Sequence, residues 1–154
     1  MSQRLDYKKA APGAIKGLGA TSAYLTQCSL PPMLIDLVYL RVSQINGCAY
    51  CIDLHSRDLQ KLGMGVDKLV LVPVWREAGA LFDARERAAL AWAETVTRVA
   101  QTEVPDADYA AVSAVFNAAE LADLTVAISL MNAWNRLGVS FRMVPGAVAK
   151  ASAS

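Results

Sequence analysis

Cysteine and histidine are scarce in this chain: 154 residues hold three cysteines and one histidine. A disulfide-stapled secreted domain has more cysteines, in an even count, so such a framework is excluded and the reducing cytoplasm is the expected compartment. In that compartment a close cysteine pair is more often catalytic or metal-binding than structural. Charge of one sign is also lacking. With 15 basic and 14 acidic residues and no basic block, the electrostatic footprint of a nucleic-acid binder is missing. Long hydrophobic runs are missing too. The run at 69–75 is far too short to cross a bilayer and contains Pro73. The charged first nine residues have no apolar stretch behind them, so neither a secretory leader nor a membrane partner is expected.

What is abundant is apolar surface. Hydrophobic residues make up 55% of the chain, and mean hydropathy is positive. A single domain of this length builds a real core. This much apolar character exceeds what one small core needs, so a homo-oligomer is expected.

The periodicity is helical almost throughout. Over 31–45, Leu34, Leu37, Val38, Val42 and Ile45 fall on one helical stripe, and Pro31 and Pro32 suit its first turn. Asn46-Gly47 is a turn signal, and a second helix is predicted over 48–62, closed by Gly63. The stretch 67–75 reads as a short helix or an extended connector. Asp83 with Glu86, and Asn117 with Glu120, are capping boxes. They open helices predicted over 83–98 and to about residue 141, the latter central and buried. A further helix is predicted over 105–116, and the tail 145–154 is expected to fray. The fold class is all-α.

Chemistry concentrates at Cys48, Cys51 and His55, which are three and four residues apart. On a helix, this spacing places all three side chains on one face. An i, i+3 cysteine pair has Cα atoms roughly 5–6 Å apart, within disulfide range. Cys48 is expected in the first helical turn, where free N–H groups favour a thiolate. His55, one turn beyond Cys51, is placed to take or return that thiol's proton. Three readings fit: a dithiol–disulfide cycle, a zinc site with Cys28 as fourth ligand, or buried structural cysteines. A c-type haem is excluded because Ile52 follows the second cysteine, and a thioredoxin fold because no βαβ pattern surrounds the motif.

The segment L-R-V-S-Q-I-N-G-C-A-Y-C at 40–51, followed by His55, resembles the AhpD-like alkylhydroperoxidases of the carboxymuconolactone decarboxylase family. P-V-W-R-E at 73–77, E-R-A-A-L-A-W at 86–92 and the stretch 128–137 also look like family positions, so the resemblance covers most of the chain. It implies one AhpD-like domain over 1–154, with a core at about 20–142, assembled as a trimer or hexamer. It implies reduction of organic hydroperoxides through a cysteine pair reset by an external dithiol or disulfide reductase, with no cofactor and no metal. The branch with decarboxylase activity lacks the pair, so its retention here points to the redox branch.

The family assigns attack on peroxide to the second cysteine, here Cys51, and resolution to the first, Cys48. Helix electrostatics alone would favour Cys48. The family's relay histidine falls on His55. Its relay glutamate, twelve residues before the first cysteine, falls on Asp36. Aspartate is roughly 1.5 Å shorter in reach, which calls for a bridging water or a weaker relay. An adapter that passes electrons to a partner peroxidase, and a redox-sensing interaction module, would use the same pair.

The remaining residues carry plainer expectations. Trp75, Trp92 and Trp134 are expected as core or interface anchors, and Cys28 as a buried small hydrophobe. Asn132, Asn135 and Arg136 on an apolar helix need partners and are expected to fix an interface or the approach to the site. Tyr50 is expected to wall the pocket.

Overall fold

The computed structural model describes residues 2–151. Among these there are helices and no strand. In chain order they are α1 (Tyr7–Ala10), α2 (Pro12–Leu25), α3 (Pro32–Asn46), α4 (Ala49–Lys61) and α5 (Val66–Leu71). Two short 3₁₀ segments follow (Val72–Glu77 and Gly79–Leu81), then α6 (Ala84–Thr97), α7 (Val99–Thr102), α8 (Asp106–Ser113), α9 (Ala118–Ser140) and α10 (Gly146–Ala151). No helix among the described residues is long and apolar enough to cross a membrane.

Helix α3 is the hub, packed against α4, α6 and α9. It starts at Pro32, whose absent N–H costs nothing there, and stops at Gly47, which takes the left-handed conformation at φ 66°. Its two faces feed two cores. Leu34, Val38 and Val42 meet Ala89, Ala93, Leu124 and Ile128. Leu37 and Leu40 meet Leu59, Val72, Phe82 and Leu90. A fully buried leucine contributes about 1.5–3 kcal/mol, against about 1 kcal/mol for a good cap, so this packing decides where α3 lies. Both cysteines of the 48–51 pair belong to the first core, which packs the reactive segment against α3, α6 and α9.

The two capping boxes form as the sequence predicts, Asp83 with Glu86 and Asn117 with Glu120. The stretch 67–75 resolves into α5 and the first 3₁₀ segment. One region carried no prediction, and two expectations change. Helical structure reaches forward to α1 and α2, where Pro12 occupies the first turn of α2. Cys28 is half-buried and free rather than fully enclosed. The tail does not simply fray: its residues Gly146–Ala151 form α10, because the Asp53 carboxylate on α4 accepts from the Ala147 N–H at 3.1 Å. Residues 152–154 of that tail lie outside the described residues. Part of the apolar excess surfaces in an open groove beside α9, lined by Leu18, Tyr109, Leu121, Val126 and Leu130.

One ion cluster ties α3, α6 and the connector together. Buried Glu94 accepts from Arg41 Nε and Nη2 at 2.8 and 2.7 Å, from Trp75 Nε1 at 3.0 Å and from Arg76 Nη1 at 2.5 Å. Burial pushes its carboxyl up, but the hydrogen bonds from Arg76, Trp75 and Arg41 outweigh it and hold the group below the usual range. A depressed carboxylate adds stability above its unfolded-state value and loses it as pH falls through its folded-state value. Glu94→Gln should therefore cost about 1–3 kcal/mol at neutral pH. In urea unfolding the deficit should shrink as pH drops below the glutamate range; a deficit independent of pH would contradict this account.

Candidate active site

The site is built on the turn between α3 and α4. Gly47 reverses the chain, and the Cys48 N–H donates to Ser43 O at 3.0 Å. The Asn46 side chain reaches into α9, where its Nδ2 donates to Asn132 Oδ1 at 2.9 Å and Asn135 Oδ1 at 3.0 Å. Asn135, only 1% exposed, donates in turn to Ser43 Oγ at 3.0 Å. A buried amide left unpaired costs about 1–3 kcal/mol, so this closed circuit fixes the turn against α9. Asn132 and Asn135 thus bond within the chain, as a clamp on the segment that carries the cysteines.

Cys48 stands at the N-cap of α4, not in the first turn as the sequence suggests, and its Sγ accepts from the Cys51 N–H at 3.4 Å. Cys51 occupies that first turn. Both sulfurs therefore lie at the positive end of α4, and proximity to the dipole does not separate them. They are bonded to each other, with Cα atoms 5.4 Å apart.

His55 lies one turn beyond Cys51 and is 8% exposed. Its Nδ1 is 3.0 Å from Asp36 Oδ1. The shorter aspartate thus reaches the imidazole directly, with no bridging water required. An ionised carboxylate only accepts, so this contact keeps the proton on Nδ1 and leaves Nε2 free to take one. The Tyr39 ring is 5.0 Å from the imidazole. Burial, followed by the charge of Asp36, pushes the Tyr39 hydroxyl well above its ordinary range, so it stays protonated. Ligand atoms of Asp36, His55 and Asp58 lie within 4.8 Å of one another, a group that could hold a metal ion. Within it, Asp36 already holds His55, and Asp58 is paired with Lys61 at 2.6 Å.

Cys51 and His55 face a cavity of about 330 Å³ walled by Tyr39, Tyr50, Leu54, Met131 and Trp134. Trp134 is therefore a wall of the site. Trp75 and Trp92 are buried, as expected. Tyr7, Lys8 and Ser22 of α1 and α2 close the far side. Sequence reasoning misses these three; the available signals were Asp6, which caps α1 through its side chain, and Pro12 at the start of α2.

Comparison with known proteins places the chain in a family. Residues 11–95 match the carboxymuconolactone decarboxylase family, a span that includes Asp36, Cys48, Cys51 and His55. The uncharacterized protein YdfG of Bacillus subtilis is 34% identical over 91% of this chain and 95% of its own length. A crystal structure of ATU0492 from Agrobacterium tumefaciens, of unknown function and proposed to be an antioxidant defence protein AhpD, is 38% identical. It superposes with a TM-score of 0.90 over 94% of this chain and 98% of that one. The debrominase Bmp8 shares the fold alone, at 15% identity and a TM-score of 0.77 over 93% of this chain and 76% of its own.

Gly138 on α9 lies directly over the sulfur pair. A Cβ placed there would meet Cys48 Sγ at 2.9 Å and Cys51 Sγ at 3.7 Å. In open space, Gly→Ala inside a helix gains roughly 0.5–1 kcal/mol. Overpacking costs about 1–3 kcal/mol and should win here. Gly138→Ala is expected to lower the Tm of the oxidised protein by several degrees and to reduce its yield of the Cys48–Cys51 disulfide in a glutathione buffer. A raised Tm would show that the sulfurs yield freely.

Proposed function

Because the chain belongs to the carboxymuconolactone decarboxylase family and is AhpD-like in fold, we propose that it is a thiol-dependent peroxidase. It reduces organic hydroperoxides through a Cys48/Cys51 dithiol–disulfide cycle. The observation that carries this reading is the shared placement of Cys51 and His55 on one apolar cavity, with Cys48 within bonding distance behind them. A cavity of about 330 Å³ lies at the small end of ligand pockets, which suits a compact organic hydroperoxide.

In the proposed cycle His55 Nε2 accepts the Cys51 proton, and Asp36 stabilises the resulting imidazolium. The Cys51 thiolate attacks the terminal peroxide oxygen. An S–O bond forms, the O–O bond breaks, and the departing alkoxide takes the proton that Cys48 gives up, leaving as an alcohol. Cys51 is now a sulfenic acid. The Cys48 thiolate attacks its sulfur, the S–S bond forms, and the hydroxyl leaves as water with a proton from His55. Two thiols have been oxidised and one peroxide reduced. An external dithiol restores the pair by exchange, a supply that fits a cytoplasmic setting.

The test is single-turnover consumption of cumene hydroperoxide by the dithiol-reduced protein. The reduced protein should consume one equivalent and form the intramolecular disulfide. Cys51→Ser should abolish the reaction. Asp36→Asn should slow it about tenfold or more, the scale on which orienting partners of a histidine act. Rapid exchange with dithiols but no consumption of peroxide would instead identify a disulfide adapter.

A further inference from the structure

The two bonded cysteines open onto different cavities. Cys51 borders the cavity that holds His55. Cys48 borders a second cavity of about 350 Å³, walled by Val139, Arg142, Met143, Pro145 and Val148. Tyr50 and Gly138 line both and form the partition between them. The second cavity owes its outer wall to the segment after α9. Arg142, at φ 54°, turns the chain back, and the Met143 N–H donates to Gly138 O at 2.9 Å. Asp53 then holds the start of α10. Its carboxylate is pushed up by desolvation but held low overall by hydrogen bonds from Ala147, Arg57 and Gly146.

We propose that this second cavity is the entry site of the reductant, a small alkyl dithiol whose thiolate attacks Cys48. The inference rests on the dithiol–disulfide cycle proposed above. Two independent arguments support it. The first is access: Cys48 borders the second cavity and is absent from the lining of the first, so a reductant that attacks Cys48 approaches through the second. The second is the leaving group. Exchange is faster when the departing thiolate is stabilised, and Cys51 has His55 one turn away to return its proton. The wall is mainly aliphatic, with the Arg142 cation to attract a thiolate.

The chemistry balances in two exchanges. The incoming thiolate bonds to Cys48 Sγ, the Cys48–Cys51 bond breaks, and Cys51 leaves as a thiolate that His55 protonates. The dithiol's second sulfur then attacks its own mixed disulfide, forming a cyclic disulfide and releasing the Cys48 thiolate. The reductant loses two electrons and two protons, which the pair gains. Peroxide and reductant thus enter by separate doors, and the oxidised pair can be reset while the Cys51 cavity still holds an alcohol product.

The half-reactions are measured apart, with cumene hydroperoxide on reduced protein and dihydrolipoamide on oxidised protein. Val139→Trp should slow disulfide reduction about tenfold or more by obstructing approach, with peroxide consumption within about twofold of the parent. Leu54→Trp, on the first cavity, should do the reverse. In the unmutated protein, acid quenching of a monothiol reaction should leave the mixed disulfide on Cys48 by mass spectrometry, a readout independent of how the variants fold. An adduct on Cys51, or unchanged reduction in folded Val139→Trp, overturns the inference while leaving the peroxidase reading intact. Conversely, a Cys48 adduct and slowed reduction in a protein that consumes no hydroperoxide would keep this entry site and overturn the peroxidase reading.

Discussion

The Asn46 amide bonds two asparagines of α9, and the placement of the chain from Ser43 to His55 depends on that contact. Without it, the Gly47 reversal would be one flexible turn among others. With it, Ser43, Asn46, Asn132 and Asn135 close a circuit. Cys48 then begins α4 under Gly138, and Cys51 and His55 follow on the same face. Hydrogen bonds joined in such a network reinforce one another, so the circuit is worth more than its bonds singly. Among the described residues, no buried side-chain nitrogen or oxygen lacks a partner.

From this frame the electrostatics follow by position. The N-terminus of α4 lies under both sulfurs, Asp36 approaches from α3, and His55 stands between Asp36 and the Cys51 cavity. The fold by itself does not select a reaction, since the debrominase Bmp8 has it too. What this chain places in the fold is a set of groups: two sulfurs at bonding distance, an imidazole oriented by a carboxylate, and two cavities divided by Tyr50 and Gly138.

The parts of this arrangement that rest on local pattern were legible in the sequence. The capping boxes at Asp83 and Asn117 and the Asn46-Gly47 turn are decided within a few residues and read correctly, and Cys51 and His55 share one cavity as their spacing suggests. What escaped depends on contacts distant in sequence. Helix α2 buries only Leu25 fully, so its periodicity is faint, yet it brings Ser22 to the cavity. Helix α10 exists because Asp53, ninety-four residues earlier, receives Ala147. Gly138 looks like a costly residue inside a helix until the sulfurs beneath it are located. Asp36 came from resemblance, and only the structure shows that it touches His55.

The central claim is that Cys51 is the sulfur that meets the peroxide. Trapping of the sulfenic acid with a cyclic 1,3-dione, in the Cys48→Ser and Cys51→Ser proteins exposed to a hydroperoxide, tests it most directly. The account predicts a labelled Cys51 in the first protein and no labelled Cys48 in the second. A label on Cys48 in the Cys51→Ser protein, with none on Cys51 in its counterpart, would contradict it.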